Sequence, residues 1–199
     1  MRFINKNTIK LNKEINELDR FVFRFINILK KYTDYVIVSG YVSILLGRSR
    51  ATEDVDIFIQ EIDKNSFRKF YEELKADGFW CLNSEDTKDI YQYLTSGLAA
   101  RFALENTTVP NFEVKFAKKF LDKESFNDRM TVVTDLGEIF VSALERQIAF
   151  KRYYLKSDKD IEDAKHIEEV FIGCIDKEKI DKYKKILLQR NEISKARKK

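Results

Sequence analysis

Asp54 and Asp56 stand two residues apart in the run DVDIFI, where Val55, Ile57 and Ile59 supply the alternating apolar positions. Alternation with a period of two marks a strand with one buried face, so both carboxylates project from the opposite face, their Cα atoms roughly 6.6 Å apart. Carboxylates so placed suit a hard cation such as Mg²⁺ (or Mn²⁺), or a pair of ions in a phosphoryl-transfer site. Upstream, Ser39-Gly40-Tyr41 follows an apolar extended run at 35–38. Gly40 reads as a sharp turn, and a short helix is predicted over residues 41–46 with Gly47 as its stop. The N-terminus of that helix points back at the turn, where free N–H groups and the positive end of the helix dipole favour an anion, phosphate above all.

This arrangement resembles the nucleotidyltransferase superfamily with the DNA polymerase β-like core, whose signature is a Gly-Ser or Gly-Gly turn, a short helix and Asp-x-Asp on the next strand. Gly40, Asp54 and Asp56 are the matching residues, and Arg50-Ala51-Thr52 resembles the Arg-x-Thr found before the aspartates in many smaller members. The family usually has Ser or Gly after the first glycine, and here Tyr41 takes that place, as if to fill the phosphate subsite. A second stretch, KRYYLKSDKDIEDAKHI, is similar to the C-terminal helical part of small prokaryotic nucleotidyltransferases of toxin–antitoxin pairs, with Lys151, Lys159, Asp160 and Asp163 as the matching residues. The resemblance implies that Asp54, Asp56 and a third acid bind metal and carry catalysis. It further implies that Ser39, Gly40, Tyr41, Arg48, Arg50, Thr52 and Lys151 bind the nucleotide. NTP is the implied substrate, with RNA or a cognate antitoxin-like protein as further partners. A P-loop is excluded by the spacing of Gly40 and Gly47 and by Arg48 where its lysine would stand.

The elements that must position these residues are legible from periodicity. Leu11, Ile15, Leu18, Val22, Phe25 and Leu29 recur at spacings of three and four, predicting a helix over residues 10–31. Asp63 caps a helix ending at Gly78, residues 79–82 are extended, and a short helix precedes Gly97. Residues 98–104 and 111–116 form an antiparallel pair, the second strand placing Glu113 beside the aspartate strand as the third acid. Arg101 on the companion strand either reaches the same cleft or is a plain surface charge. Residues 130–134 and 138–142 read as strands about a DLG turn. A capping box at Ser142 and Glu145 then opens a helix to about 155, Ser157 caps another that stops at Gly173, and a third runs from Asp176 to about 188. Arg48 and Arg50 have two readings, phosphate ligands or partners of neighbouring carboxylates. His166 reads as a surface or interhelix residue.

The predicted architecture is α/β, a small mixed sheet with helices on one face and a C-terminal helical subdomain. Residues 1–142 form the core, 143–189 the subdomain and 190–199 a basic tail. With 199 residues, 44% hydrophobic content, sixteen Phe and only one Pro, the chain describes an ordered globular protein rather than a disordered one. It contains no apolar run long enough to cross a bilayer, and its start lacks an apolar signal-peptide core, so a cytoplasmic protein is expected. Cys81 and Cys174 are too few and too far apart for a disulfide framework or a zinc site. Arg190, Lys195, Arg197, Lys198 and Lys199 against Glu192 account for the whole net charge of +4, a basic tail that permits nucleic-acid contact without requiring it. Two functions follow. One is metal-dependent transfer of a nucleotidyl group from an NTP to an acceptor hydroxyl on RNA, a small molecule or a protein. The other is a nucleotidyltransferase-fold protein that binds nucleotide, RNA or a partner without turnover.

Overall fold

The computed structural model describes residues 1–196, with side chains as far as Gln189; the side chains of the basic tail lie outside the described residues. Among the described residues, nine strands form one mixed sheet. They are β1 (Arg2–Asn5), β2 (Thr8–Lys10), β3 (Tyr35–Val38), β4 (Asp54–Ile59), β5 (Phe79–Cys81), β6 (Ala100–Leu104), β7 (Asn111–Phe116), β8 (Met130–Thr134) and β9 (Gly137–Val141), in the spatial order β1-β2-β8-β9-β3-β4-β7-β6-β5. The helices are α1 (Glu17–Leu29), α2 (Gly40–Leu45), α3 (Lys64–Ala76), α4 (Thr87–Thr95), α5 (Phe120–Asn127), α6 (Leu144–Phe150), α7 (Asp158–Val170) and α8 (Lys177–Ala196), with a π-helical turn (Lys151–Leu155) continuing α6. The α/β architecture with C-terminal helices is as the sequence predicts. None of the described helices is long and apolar enough to cross a membrane.

The alternation read in β4 and β7 has its physical cause on the buried side. Val55, Ile57 and Ile59 of β4 and Phe112, Val114 and Phe116 of β7 are withdrawn from solvent. Phe25 and Phe21 of α1 stack on Phe112 with ring centroids 3.9 and 4.4 Å apart. Phe70 of α3 meets Phe25 edge-on at 6.0 Å. Each such ring contributes about 1.5–3 kcal/mol by burial, with about 0.5–1.5 kcal/mol more from ring geometry. This aromatic layer covers the face of β4 and β7 away from the aspartates, while the parallel ladder pairs the two strands.

The sheet is larger than predicted because residues 2–10, where no strand is expected from the sequence, form β1 and β2, and the helix predicted to start at residue 10 begins only at Glu17. Leu11 is buried by the sheet, its N–H bonded to the carbonyl of Val133 at 2.9 Å. The helix starts only after Asn16, whose side chain accepts from the Asp19 N–H while the Asp19 carboxylate accepts from the Asn16 N–H, a capping box. The helix after β9 is capped at Ala143 rather than at Ser142, because Ser142 still pairs with β3 through its N–H to Ile37 O at 2.9 Å. The α5 helix is a further element that the sequence pattern did not announce.

Candidate active site

Parallel pairing of β4 with β7 sets Asp54 opposite Asn111 and Asp56 opposite Glu113, and antiparallel pairing with β3 sets Asp56 opposite Val38. The three acids therefore share one sheet face, immediately beyond the end of β3. Burial pushes the Asp56 carboxyl up to about 6, and the neighbouring Asp54 charge adds to it, while Lys115 and Ser39 hold it back. Glu113 is treated differently. Burial alone would raise it, but hydrogen bonds from Arg101 and Lys115 outweigh that and leave it below the usual range. One oxygen of Glu113 takes the Arg101 guanidinium and the other takes Lys115 Nζ at 3.2 Å.

At the end of β3 the chain turns through Ser39, which sits at φ 63° and ψ −135°, a conformation L residues rarely adopt. Gly40 opens α2. A Cβ there would meet Arg50 Nη2 at 2.7 Å and Thr52 Oγ1 at 3.3 Å, so any side chain at this position would push the guanidinium aside. Thr52 in turn donates to the Asp54 carbonyl at 3.0 Å. Arg50, Thr52, Ser39 and Gly40 thus converge beside Asp54 and Asp56.

Tyr41 does not. The expectation that its ring fills the phosphate subsite is corrected: Tyr41 is wholly buried, and its hydroxyl donates to Asp19 Oδ1 at 2.9 Å in the core. All six residues of α2 are buried, and Tyr41 points to the side that packs on α1. Burial, then the Asp19 charge, holds its hydroxyl well above the ordinary phenol range. Tyr41→Phe should therefore cost about 1.5 kcal/mol, the low end for a hydrogen bond to a charged group, because Asp19 keeps Lys13 at 2.7 Å. Urea unfolding checks this, with nucleotide affinity unchanged. A change in affinity without a change in stability would return Tyr41 to the site.

Lys151 is likewise absent from any open cleft. It is 1% exposed, and its Nζ donates to Asp163 Oδ2 at 2.8 Å with Asp160 Oδ1 at 3.6 Å. Arg50 Nη1 donates to the same Asp163 oxygen at 2.7 Å, and Arg48 pairs with Glu162. Of the two readings for the arginines, the carboxylate-pairing one describes this state. Arg48 Nε and Asp163 Oδ1 are buried without hydrogen bonds, 3.7 Å apart. Asp163, wholly buried on α7, is the residue the sequence reading left out of the site. Its signal was the Asp160-x-x-Asp163 spacing, which puts both acids on one side of a helix facing the π-helical turn. His166, as expected, lies between helices, its Nε2 3.1 Å from the Leu46 carbonyl.

No protein-family model matches the chain, and no curated protein matches it in sequence. Solved structures do. A nucleotidyltransferase-like antigen from Paracoccidioides brasiliensis superposes with a TM-score of 0.52 at 18% identity, over 89% of this chain and 90% of that one. This is a nucleotidyltransferase-like fold. The antibiotic-resistance factor ANT(2'')-Ia gives the same TM-score of 0.52 at 11% identity, over 89% of this chain and 95% of its own. The lincosamide antibiotic adenylyltransferase LnuA, solved with lincomycin, gives 0.48 at 14% identity, over 79% and 99%.

A nucleotidyltransferase-like fold raises the question of whether these residues fit a divalent cation. Asp54 and Asp56 offer hard oxygen donors on one face, and the Asp56 carboxyl, raised by burial first and by the Asp54 charge second, is one whose ionised form a cation would favour. Each Glu113 oxygen is engaged by one cation, Arg101 on one and Lys115 on the other. Among the described residues no three acidic, His or Cys side chains converge as a ready-made metal cluster. Asp54 and Asp56 are the residues that would hold such an ion. An open depression lined by Lys64, Arg68, Glu85 and Lys88 contains none of the candidate residues.

Proposed function

We propose that this protein transfers a nucleotidyl group from an NTP to an acceptor hydroxyl. The observation that carries the reading is the juxtaposition of Asp54 and Asp56, unbalanced in charge, with the glycine turn and Arg50. Asp54 and Asp56 would hold Mg²⁺ or Mn²⁺, and the chemistry such an ion would supply is neutralisation of charge on the triphosphate and the leaving group. Ser39, Gly40, Thr52 and Arg50 receive the β and γ phosphates, the guanidinium supplying charge where the turn supplies space. The acceptor oxygen forms its bond to the α phosphorus, the α–β anhydride bond breaks, and pyrophosphate leaves with the electron pair. Glu113 stays ionised at neutral pH and stands one strand away to take the hydroxyl proton. Lys151 acts from behind, fixing the Asp163 carboxylate that anchors Arg50. Positioning and charge stabilisation supply the catalysis.

The pairing of Glu113 with Arg101 and Lys115 favours a second reading, binding of nucleotide without turnover. Isothermal titration with NTP and Mg²⁺, followed by incubation with α-labelled NTP and candidate acceptors, separates them. Label on an acceptor supports transfer. Binding with label on none of the RNA, protein or small-molecule acceptors supports the second reading, and absence of NTP binding overturns both.

A further inference from the structure

The order β3-β4-β7-β6 places the Gly40 turn on one flank of the aspartate strand and Glu113, Arg101 and Lys115 on the other. In an in-line displacement the attacking oxygen and the leaving pyrophosphate lie on opposite sides of the α phosphorus. With the β and γ phosphates at the Gly40 turn, the acceptor approaches over β7 and β6.

The floor it meets carries two cations and one anion. Arg101 stands directly opposite Glu113 in the antiparallel register, and Lys115 follows two residues along the same face of β7. The Arg101 side chain is 53% exposed and that of Lys115 37%, whereas Glu113 beneath them is 13% exposed. The two donors are on top and their counter-ion below. Arg101 is also held from behind, its backbone N–H donating to Asn83 Oδ1 at 2.6 Å. A guanidinium carries five N–H donors and an ammonium three, while Glu113 offers each of them one oxygen, so both keep donors directed to solvent. Cross-strand ion pairs are ordinary on sheet faces. Two cations on one carboxylate, on the flank where an acceptor enters, are a receptor for negative charge.

We infer that Arg101 and Lys115 form the acceptor subsite and that the acceptor bears a phosphate next to its reacting hydroxyl. The inference rests on the nucleotidyl-transfer reading of the same face. Binding of the acceptor phosphate draws Arg101 and Lys115 off Glu113 and frees that carboxylate for the hydroxyl proton. The pairing that holds both Glu113 oxygens without acceptor thus becomes a gate that the acceptor itself opens. A cationic acceptor would be repelled here, and a neutral one would leave Glu113 closed.

The test uses the full chain with its nucleotide site filled by a non-hydrolysable NTP analogue and Mg²⁺. Ribose 5-phosphate and a six-nucleotide single-stranded RNA are the two phosphate probes, with ribose as the neutral control. Both probes, or the RNA alone, should bind at least tenfold tighter than ribose, the second pattern assigning the phosphate to a nucleic acid. Binding should fall at least tenfold in the double variant Arg101→Gln, Lys115→Gln. Glu113→Gln, which releases both cations without removing them, should raise it severalfold, an effect a purely structural ion pair would not produce. Wild-type protein that takes up the NTP analogue but holds neither phosphate better than ribose, or holds it as tightly without Arg101 and Lys115, overturns the acceptor inference alone. Wild-type protein that fails to take up the analogue overturns the transfer reading on which it stands.

Discussion

Asp163→Ala should lower the stability of the protein by about 3–5 kcal/mol, the largest effect expected of any single substitution away from the aromatic layer. One buried oxygen of Asp163 receives both Arg50 and Lys151, at 2.7 and 2.8 Å, and Arg48 lies 3.7 Å from the other. Removing the carboxylate leaves a lysine that is 1% exposed beside an arginine, with Asp160 at 3.6 Å left to balance it, and a buried charge so poorly paired is costly. Lys151→Met should cost less, because Asp163 keeps Arg50 and a hydrophobic chain of similar length fills the space. Nucleotide affinity should also drop about tenfold in Asp163→Ala, since Arg50 loses the anchor that holds it across Gly40. Urea unfolding within about 0.5 kcal/mol of wild type would show that the cluster is no structural tie.

The second large effect is on activity. Changing Asp54 and Asp56 together to Asn should abolish transfer while leaving the fold intact and more stable at neutral pH. The sign follows from the raised Asp56 carboxyl. With a folded-state value of about 6 above an unfolded value near 3.8, the native chain binds more protons between those limits. Stability of metal-free wild type therefore falls as pH rises from about 4 to about 6 and is flat above that, the total loss on the order of 1–3 kcal/mol. The double variant should lack this slope. Mg²⁺ with NTP should raise the melting temperature of wild type, by mass action on the native state, and leave the variant unmoved. A variant that melts earlier than wild type, beside a wild type indifferent to Mg²⁺ and nucleotide, would make the aspartates structural.

Legibility in the sequence tracked how local the cause was. The faces of β4 and β7 are written in a period of two, so Asp54, Asp56 and Glu113 fall on one face without knowledge of any partner strand. The direction of Tyr41 is not local. On a helix of six residues buried on every side, the motif names the turn but not which side chains look into it, and the pull of Asp19 comes from another helix. Lys151 and Asp163 are legible as a motif but not as an ion pair, because their meeting depends on how α7 packs against the π-helical turn. The strands at residues 2–10 escaped because β2 is three residues long and its partner is more than a hundred residues away.

That last pairing orders the birth of the molecule. Thr8, Ile9 and Lys10 lie parallel to Thr131, Val132 and Val133, so β2 leaves the ribosome long before the strand it needs exists. Ile9 and Leu11, both withdrawn from water in the finished protein, must wait uncovered through the synthesis of everything between, a window in which a chaperone or a neighbouring nascent chain competes for them. The α1, β3–β7 portion can assemble meanwhile, from contacts closer in sequence. Docking of β1 and β2 then waits for β8, and a chain shortened to begin at residue 12 would leave β8 as a bare edge, open to pairing with another molecule.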